Sequence, residues 1–345
     1  MTRPPVSIPR PSSWKADCVA GELKYAEAIR RALADELASD PDVVVMGQEI
    51  EALGGVFTAT QGLAESFTGR VLDTPLAESA TVGWAIGAAM AGLRPVVEIM
   101  FMDFITTAMD QIVNGAAKLR YMSGGQVALP IVIRTPSDGG TGHGPQHSQH
   151  LETWFAHVPG LVVGMPSTVS DAYWMLRHSI QDDNPVVFVE SKYLYFRESG
   201  EIGPEGSGVV HPYGARIVRS GDSVTIVTAG RMVAESLAAA ESLAAEGIDC
   251  EVMDLRFIWP YDREALAESV ARTNRLIVVH EAVQDFGWGG EICAWAASEL
   301  FYSLDAPIRR LATPRAPIPF AAHLESALVP NRAVIESAVR DLARH

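Results

Sequence analysis

Two short stretches of this sequence carry the side chains best suited to acid–base chemistry. Glu78 ends residues 72–78, which follow an apolar run and precede a segment rich in glycine and alanine. His143 and His147 lie in residues 139–150, a stretch with four glycines in its first six residues. If both stretches follow strands of one sheet, a buried acid and a mobile imidazole lie at neighbouring strand ends. This pair predicts a site where protons move to and from a bound molecule.

Each of these residues also has a simpler interpretation. Helix N-termini favour anions, so Glu78 could merely cap the following helix, and spacing alone favours that use. Three histidines, His143, His147 and His150, could suggest a metal site. However, no acidic ligand accompanies them in the sequence, and the glycines leave the geometry loose. A histidine that titrates near neutrality is better suited to proton donation. Phe104 could be an ordinary core residue at the start of a helix.

The size and charge of the chain limit its class. With 345 residues, 48% of them hydrophobic, the chain is long enough for two domains with sizeable cores. It has 27 Lys and Arg against 42 Asp and Glu, a net charge of −15. A surface of this sign repels phosphate backbones, so we expect no nucleic-acid partner.

The cysteines and the apolar runs point to a cytoplasmic protein. Cys18, Cys250 and Cys293 are far apart and lack zinc-ligand spacing, as expected for a reduced cytosolic chain. No apolar run reaches the roughly 20 residues of a membrane span, so no membrane association is predicted.

Strand-like and helical runs alternate along the chain. Apolar runs that alternate with helices predict an α/β fold with parallel sheets covered on both faces. The first set has predicted strands at 43–46, 70–73, 95–100, 130–135, 161–164 and 185–190, and helices at 81–93, 104–120 and 168–181. The second set has predicted strands at 224–228, 251–255, 276–280 and 308–311, and helices at 232–246, 263–272, 291–301 and 332–343.

The glycine- and proline-containing segment 202–212 separates the two sets and is interpreted as a linker. The predicted organisation is therefore an extended N-terminal segment 1–21, a first domain 22–201 and a smaller second domain 213–345.

A series of motifs, in order along the chain, resembles the β subunit of the thiamin diphosphate-dependent E1 component of 2-oxo acid dehydrogenases. That family includes the pyruvate, branched-chain 2-oxoacid and acetoin dehydrogenases. The matching motifs lie at 73–78, 92–98, 110–114, 121–125, 147–149, 155–161, 184–187, 254–256, 280–282 and 317–319. The resemblance implies a pyrimidine-binding domain followed by a transketolase C-terminal-type domain.

The resemblance also implies roles for individual residues. The glutamate matching Glu78 bonds N1′ of the cofactor's aminopyrimidine and thereby promotes deprotonation of the thiazolium C2. The aromatic residue matching Phe104 lies against the same ring. The histidine matching His147 faces the thiazolium end and assists acyl transfer to a lipoyl group. Glu78 and His147 are thus the expected catalytic residues, and all three residues are expected to bind the cofactor.

Metal sites follow from the same resemblance. Some β subunits hold a structural potassium ion at the positions that match Ile131, Ser179, Ile180, Asp182 and Asn184. The Gly-Asp-Gly motif that anchors the cofactor's Mg2+ is absent, and Gly221–Ser223 is the nearest match. Half of the cofactor site, with most of the Mg2+ ligands, is therefore expected on a separate α subunit. The expected assembly is an α2β2 heterotetramer, and this chain alone should be inactive.

The predicted function is the β part of an E1 enzyme. Such an enzyme oxidatively decarboxylates a 2-oxo acid and transfers the acyl group to a lipoyl-bearing E2 partner. The sequence leaves the substrate open, because residues 142–144 resemble branched-chain members whereas 146–149 and 154–157 resemble pyruvate or acetoin members. The alternatives are the C-terminal half of a split transketolase, a related acyl- or ketol-transferring enzyme of a biosynthetic pathway, or a non-catalytic scaffold.

Overall fold

A computed structural model describes residues 21–206 and 211–344. The proposed N-terminal extension lies outside this range except for Gly21. The strands are β1 (Leu23–Lys24), β2 (Val43–Gly47), β3 (Val71–Asp73), β4 (Arg94–Glu98), β5 (Val132–Ser137), β6 (Val162–Gly164), β7 (Val186–Ser191), β8 (Ser199–Gly200), β9 (Arg216–Arg219), β10 (Val224–Thr228), β11 (Cys250–Asp254), β12 (Phe257–Trp259), β13 (Leu276–Val283) and β14 (Arg309–Thr313).

Helices lie between most of these strands. They are α1 (Tyr25–Ser39), α2 (Leu63–Ser66), α3 (Glu78–Met90), α4 (Ala117–Met122), α5 (Glu152–Ala156), α6 (Val169–Gln181), α7 (Leu194–Arg197), α8 (Met232–Ala244), α9 (Arg263–Thr273), α10 (Gly289–Glu299), α11 (Ala322–Leu328) and α12 (Arg332–Leu342). Among the described residues, no helix combines the length and the apolar character needed to cross a membrane.

The first sheet has seven strands in the order β12-β6-β7-β5-β4-β2-β3. Its central strands are parallel and, apart from Arg94 at the start of β4, fully buried, as β-branched runs covered on both faces should be. The edge strand β12 is antiparallel to β6 and comes from the second half of the sequence. Phe257 of β12 lies against Gly164, where a Cβ atom would come within 2.9 Å of the ring. This strand joins the two halves of the chain.

The second sheet has five strands in the order β14-β13-β10-β11-β9. Strands β14, β13, β10 and β11 are parallel, and β9 is antiparallel to β11 at the edge. The predicted α/β fold with two parallel sheets is confirmed. Each sheet also carries one antiparallel edge strand that periodicity did not predict.

The predicted helix 104–120 differs from the structure. A 3₁₀-helix (Met102–Ala108) is followed by a π-helical turn (Gln111–Ala116) and then by α4. Gly115 lies in the π-helical turn, and a Cβ atom there would meet Ile86 of α3 at 2.8 Å. The wider turn therefore accompanies close packing against α3, the helix that begins with Glu78.

Candidate active site

Glu78 is the first residue of α3 and lies at the carboxyl end of the first sheet, where β3 ends. Gln48 donates a 3.1 Å hydrogen bond from Nε2 to Glu78 Oε1, and Thr107 Oγ1 donates a 3.1 Å bond to Oε2. The side chain is half-buried in this chain rather than fully buried as expected. Its hydrogen bonds go to side chains, so the carboxylate is held in place with lone pairs left for a ligand.

Phe104 and His147 are connected to Glu78 through Thr107 and a ring contact. Thr107 Oγ1 also lies 2.9 Å from the carbonyl oxygen of Phe104, so its single hydrogen is shared between this carbonyl and the Glu78 carboxylate. The Phe104 ring is 37% exposed and meets the His147 imidazole edge to face, with ring centroids 5.4 Å apart. A second ring, Phe101, lies 4.9 Å from the same imidazole. The structure therefore brings the three predicted site residues together.

The loop that carries His147 is fastened to the second half of the chain. Glu325 of α11 accepts hydrogen bonds from the backbone N–H groups of Gly140, at 2.6 Å, and Gly142, at 3.3 Å. Arg231 Nη1 donates a 2.8 Å bond to the carbonyl of Gly139. The sequence predicts a mobile imidazole at His147. In the structure, its loop is held by contacts with distant residues that the sequence does not reveal.

The glycines of this loop are needed for packing within the chain. Gly140 and Gly144 both have positive φ angles, which glycine adopts without a steric penalty. A Cβ atom would lie 2.4 Å from Arg231 at Gly140 and 2.3 Å from Phe320 at Gly144. The space that these glycines leave, which the sequence suggested for a ligand, is therefore filled by side chains from the second half of the chain.

His143 and Lys192 lie beside His147. His143 Nδ1 is 2.7 Å from Thr141 Oγ1, and its ring lies 5.9 Å from Phe101. Burial and the nearby Lys192 ammonium lower the pKa of His143. Lys192 is itself buried, which lowers its pKa, and it donates a hydrogen bond to the carbonyl of His147. His143 therefore favours its neutral form at the rim of the site.

His150, the third histidine of the loop, lies among carboxylates. Asp138 and Glu281 each place an oxygen near its Nε2 atom, and Glu152 lies beside Nδ1. The expectation that no acidic ligand accompanies the histidines is wrong for His150. Glu281 comes from β13 in the other half of the chain, so loop sequence alone could not reveal it. In the sequence, residues 280–282 stand out only as a motif shared with the family.

The residues proposed for potassium lie at one end of the first sheet. Arg94 Nη1 donates hydrogen bonds to the carbonyls of Ile180, at 3.1 Å, and Asp182, at 3.3 Å. Asp182 Oδ1 accepts bonds from the backbone and side-chain nitrogens of Asn184, and the carbonyl of Ile131 accepts one from Val186. Arg94 thus already supplies a positive charge to two of these carbonyls. Because a potassium ion would compete with this guanidinium, the arrangement does not favour the ion, and its binding stays a prediction.

Two family models match separate parts of this chain. Residues 21–197 match the family model for the transketolase pyrimidine-binding domain, and residues 214–335 match that for the transketolase C-terminal domain. The chain is therefore of the two-domain transketolase type. A solved chain described as a split-gene transketolase, an inactive β4 tetramer, superposes with a TM-score of 0.74 at 22% identity. That match covers 94% of this chain and 99% of the other, and it bears on the fold alone.

Similar curated proteins identify the family within this type. The rice (Oryza sativa) pyruvate dehydrogenase E1 subunit β-2 is 43% identical over 95% of this chain and 88% of its own length. The β subunit of the acetoin:2,6-dichlorophenolindophenol oxidoreductase of Cupriavidus necator is 44% identical, over 93% of this chain and 98% of its own. The 2-oxoisovalerate dehydrogenase subunit β of Bacillus subtilis is 42% identical over the same shares. The chain belongs to the family of E1 β subunits of 2-oxo acid dehydrogenases.

Proposed function

We propose that this chain is the β subunit of an E1 enzyme that decarboxylates a 2-oxo acid with thiamin diphosphate and passes the acyl group to a lipoyl-bearing E2 partner. The observation that carries the proposal is the arrangement of Glu78, Phe104 and His147, in which Thr107 links the carboxylate to Phe104 and the Phe104 ring meets the imidazole. A hydrogen-bonded carboxylate, a partly exposed aromatic ring and an imidazole suit a flat, basic heterocycle that must be protonated and deprotonated.

Each of these residues has a proposed task. Bound thiamin diphosphate supplies an electron sink for loss of carbon dioxide from the keto acid. Glu78, held by Gln48 and Thr107, would hydrogen-bond a ring nitrogen of the aminopyrimidine and hold a proton there. Phe104 would orient that ring through its exposed face. His147 would exchange protons at the substrate end and assist acyl transfer.

The exposed apolar side chains around the site support an α partner. Leu76 is 84% exposed two residues before Glu78, and Trp84 in the second turn of α3 is 52% exposed. Apolar surface of this kind, next to polar catalytic groups, is typical of a subunit interface. We assign most of the Mg2+ ligands and the missing half of the cofactor site to an α subunit, in an α2β2 assembly.

The test is reconstitution with the α subunit. The two chains are co-purified, and reduction of an artificial electron acceptor is measured with thiamin diphosphate, Mg2+ and a panel of 2-oxo acids. We expect activity only when both chains are present, with one acid preferred. Glu78→Gln should lower kcat by at least about 100-fold, since general acid–base groups contribute about 10²–10⁴-fold.

A matched control is available in α2. Glu65 is an exposed glutamate in the first turn of that helix, and Glu65→Gln should leave activity unchanged. Ketol transfer between sugar phosphates, without activity on any 2-oxo acid, would replace this proposal by the split-transketolase alternative. Activity that is insensitive to Glu78→Gln would contradict the role of the carboxylate.

A further inference from the structure

The cluster around His150 combines residues from both halves of the chain. Asp138 follows β5 directly, His150 ends the histidine loop (residues 139–150), and Glu281 lies on β13. The three side chains are buried, with exposures of 4%, 5% and 5%. One ligand atom from each can be chosen so that all three atoms lie within 4.8 Å of one another.

The distances in this cluster are too long for direct hydrogen bonds. His150 Nε2 lies 3.5 Å from Glu281 Oε1 and 3.8 Å from Asp138 Oδ1. An N–H···O bond spans about 2.7–3.2 Å, and Nε2 has no hydrogen-bond partner among the described residues. The edge of a tetrahedron with metal–ligand bonds of about 2.1 Å is about 3.4 Å. The two distances from Nε2 are therefore close to those between ligands around a small cation.

The other ring nitrogen is placed to orient the imidazole. Nδ1 lies 3.2 Å from Ser137 Oγ and 3.4 Å from Glu152 Oε2. Glu152 is fully buried, and neither of its oxygens has another hydrogen-bond partner among the described residues. A hydrogen on Nδ1 facing this carboxylate leaves the lone pair of Nε2 directed at Asp138 and Glu281. Metal-bound histidines are commonly oriented by a carboxylate in this way.

Charge and space also favour a bound cation. Arg231 Nη1 lies 3.5 Å from Glu281 Oε1, and the carboxylates around His150 outnumber the nearby arginine and lysine side chains. A cavity of about 440 Å³ reaches the cluster and is lined by His150 and Glu281. It provides an entry path and room for a water molecule as a fourth ligand. A proton on Nε2 would balance charge as well, but at these distances it would make no hydrogen bond of ordinary length.

We propose that Asp138, His150 and Glu281 bind a divalent transition-metal ion of the zinc class, with Glu152 as the carboxylate that orients His150. The ion would connect the two halves of the chain beside the loop that carries His147. Its role is to fasten that loop, and it is separate from the Mg2+ that the cofactor requires.

The experiment uses the full-length chain without its α partner, so that no cofactor-bound Mg2+ contributes. After treatment with a chelator, the chain is titrated with Co2+ and the visible absorption of a low-symmetry cobalt site is followed. Zinc is then added as a competitor, and thermal unfolding is recorded with and without it. We expect one ion per chain and a higher unfolding midpoint with zinc.

Variants locate the ion. His150→Gln and Asp138→Asn should abolish stoichiometric binding, and Glu152→Gln should weaken it by about 10- to 100-fold. His178→Gln is the matched control, since His178 pairs with a single carboxylate, Glu205, at 3.0 Å. A wild-type chain that binds no cobalt or zinc would overturn the proposal, whatever the variants do. Binding that persists in folded His150→Gln would do the same.

Discussion

The most direct test of how the site is built concerns Glu325, which lies far from Glu78 in sequence. Its carboxylate is 2% exposed and accepts hydrogen bonds from the Gly140 and Gly142 amides of the histidine loop. Replacing it with alanine leaves both amide groups without this partner. We expect the loop to open more often while the rest of the fold stays intact.

The size of the effect follows from the two bonds. A hydrogen bond to a charged group contributes about 1.5–3 kcal/mol, which suits the Gly140 bond of 2.6 Å. The Gly142 bond, at 3.3 Å, is longer and contributes about 0.5–1 kcal/mol. Their sum of about 2–4 kcal/mol corresponds to an increase of about 30-fold to about 1,000-fold in the opening equilibrium of the loop.

Hydrogen exchange followed by mass spectrometry measures this directly. Peptides covering residues 139–150 should exchange faster by that factor in Glu325→Ala. Glu325→Gln keeps one acceptor oxygen and should give an intermediate rate. Glu246→Gln, which removes an exposed partner of Arg340, is the control and should leave the loop unchanged. Unchanged loop exchange in folded Glu325→Ala would refute the idea that the second half of the chain holds this loop.

Three further predictions concern buried groups elsewhere. Arg134 donates hydrogen bonds to Glu98 at 2.7 Å and to Glu190 at 2.6 and 2.9 Å. Arg134→Met leaves both buried carboxylates unpaired and should lower the free energy of unfolding, measured with urea, by about 3–5 kcal/mol. A loss below about 1 kcal/mol would contradict this. Burial raises the pKa of Cys250 to about 12, so iodoacetamide at pH 8 should modify this thiol only after unfolding, as peptide mass spectrometry can show. Burial also raises the pKa of Asp254 to about 6, so its contribution to stability is present below about pH 4 and lost as the pH rises through about 6. The free energy of unfolding of Asp254→Asn should therefore rise by about 3 kcal/mol relative to that of wild type between pH 4 and 7. A constant difference between the two proteins over this pH range would contradict the raised pKa of Asp254.

Local patterns in the sequence were sufficient for the α/β class, whereas the roles of the site residues stay predictions. Apolar β-branched runs such as 43–46 and 185–190 become the buried parallel strands β2 and β7, because a strand covered on both faces must be apolar throughout. The position of Glu78 between a strand and a helix marked it as a candidate, although spacing alone favoured a helix-capping role. Phe104 and His147 required the resemblance of their motifs to a known family.

The sequence did not predict how the site is held in place. The histidine loop is fastened by Arg231 and Glu325, and β12 crosses from the second half of the chain to pair with β6. The carboxylate of Glu281 reaches His150 in the same way. Periodicity reports which face of an element is apolar, but these contacts join residues far apart in the chain. They exist only once the two sheets are packed together, so tertiary structure alone decided them.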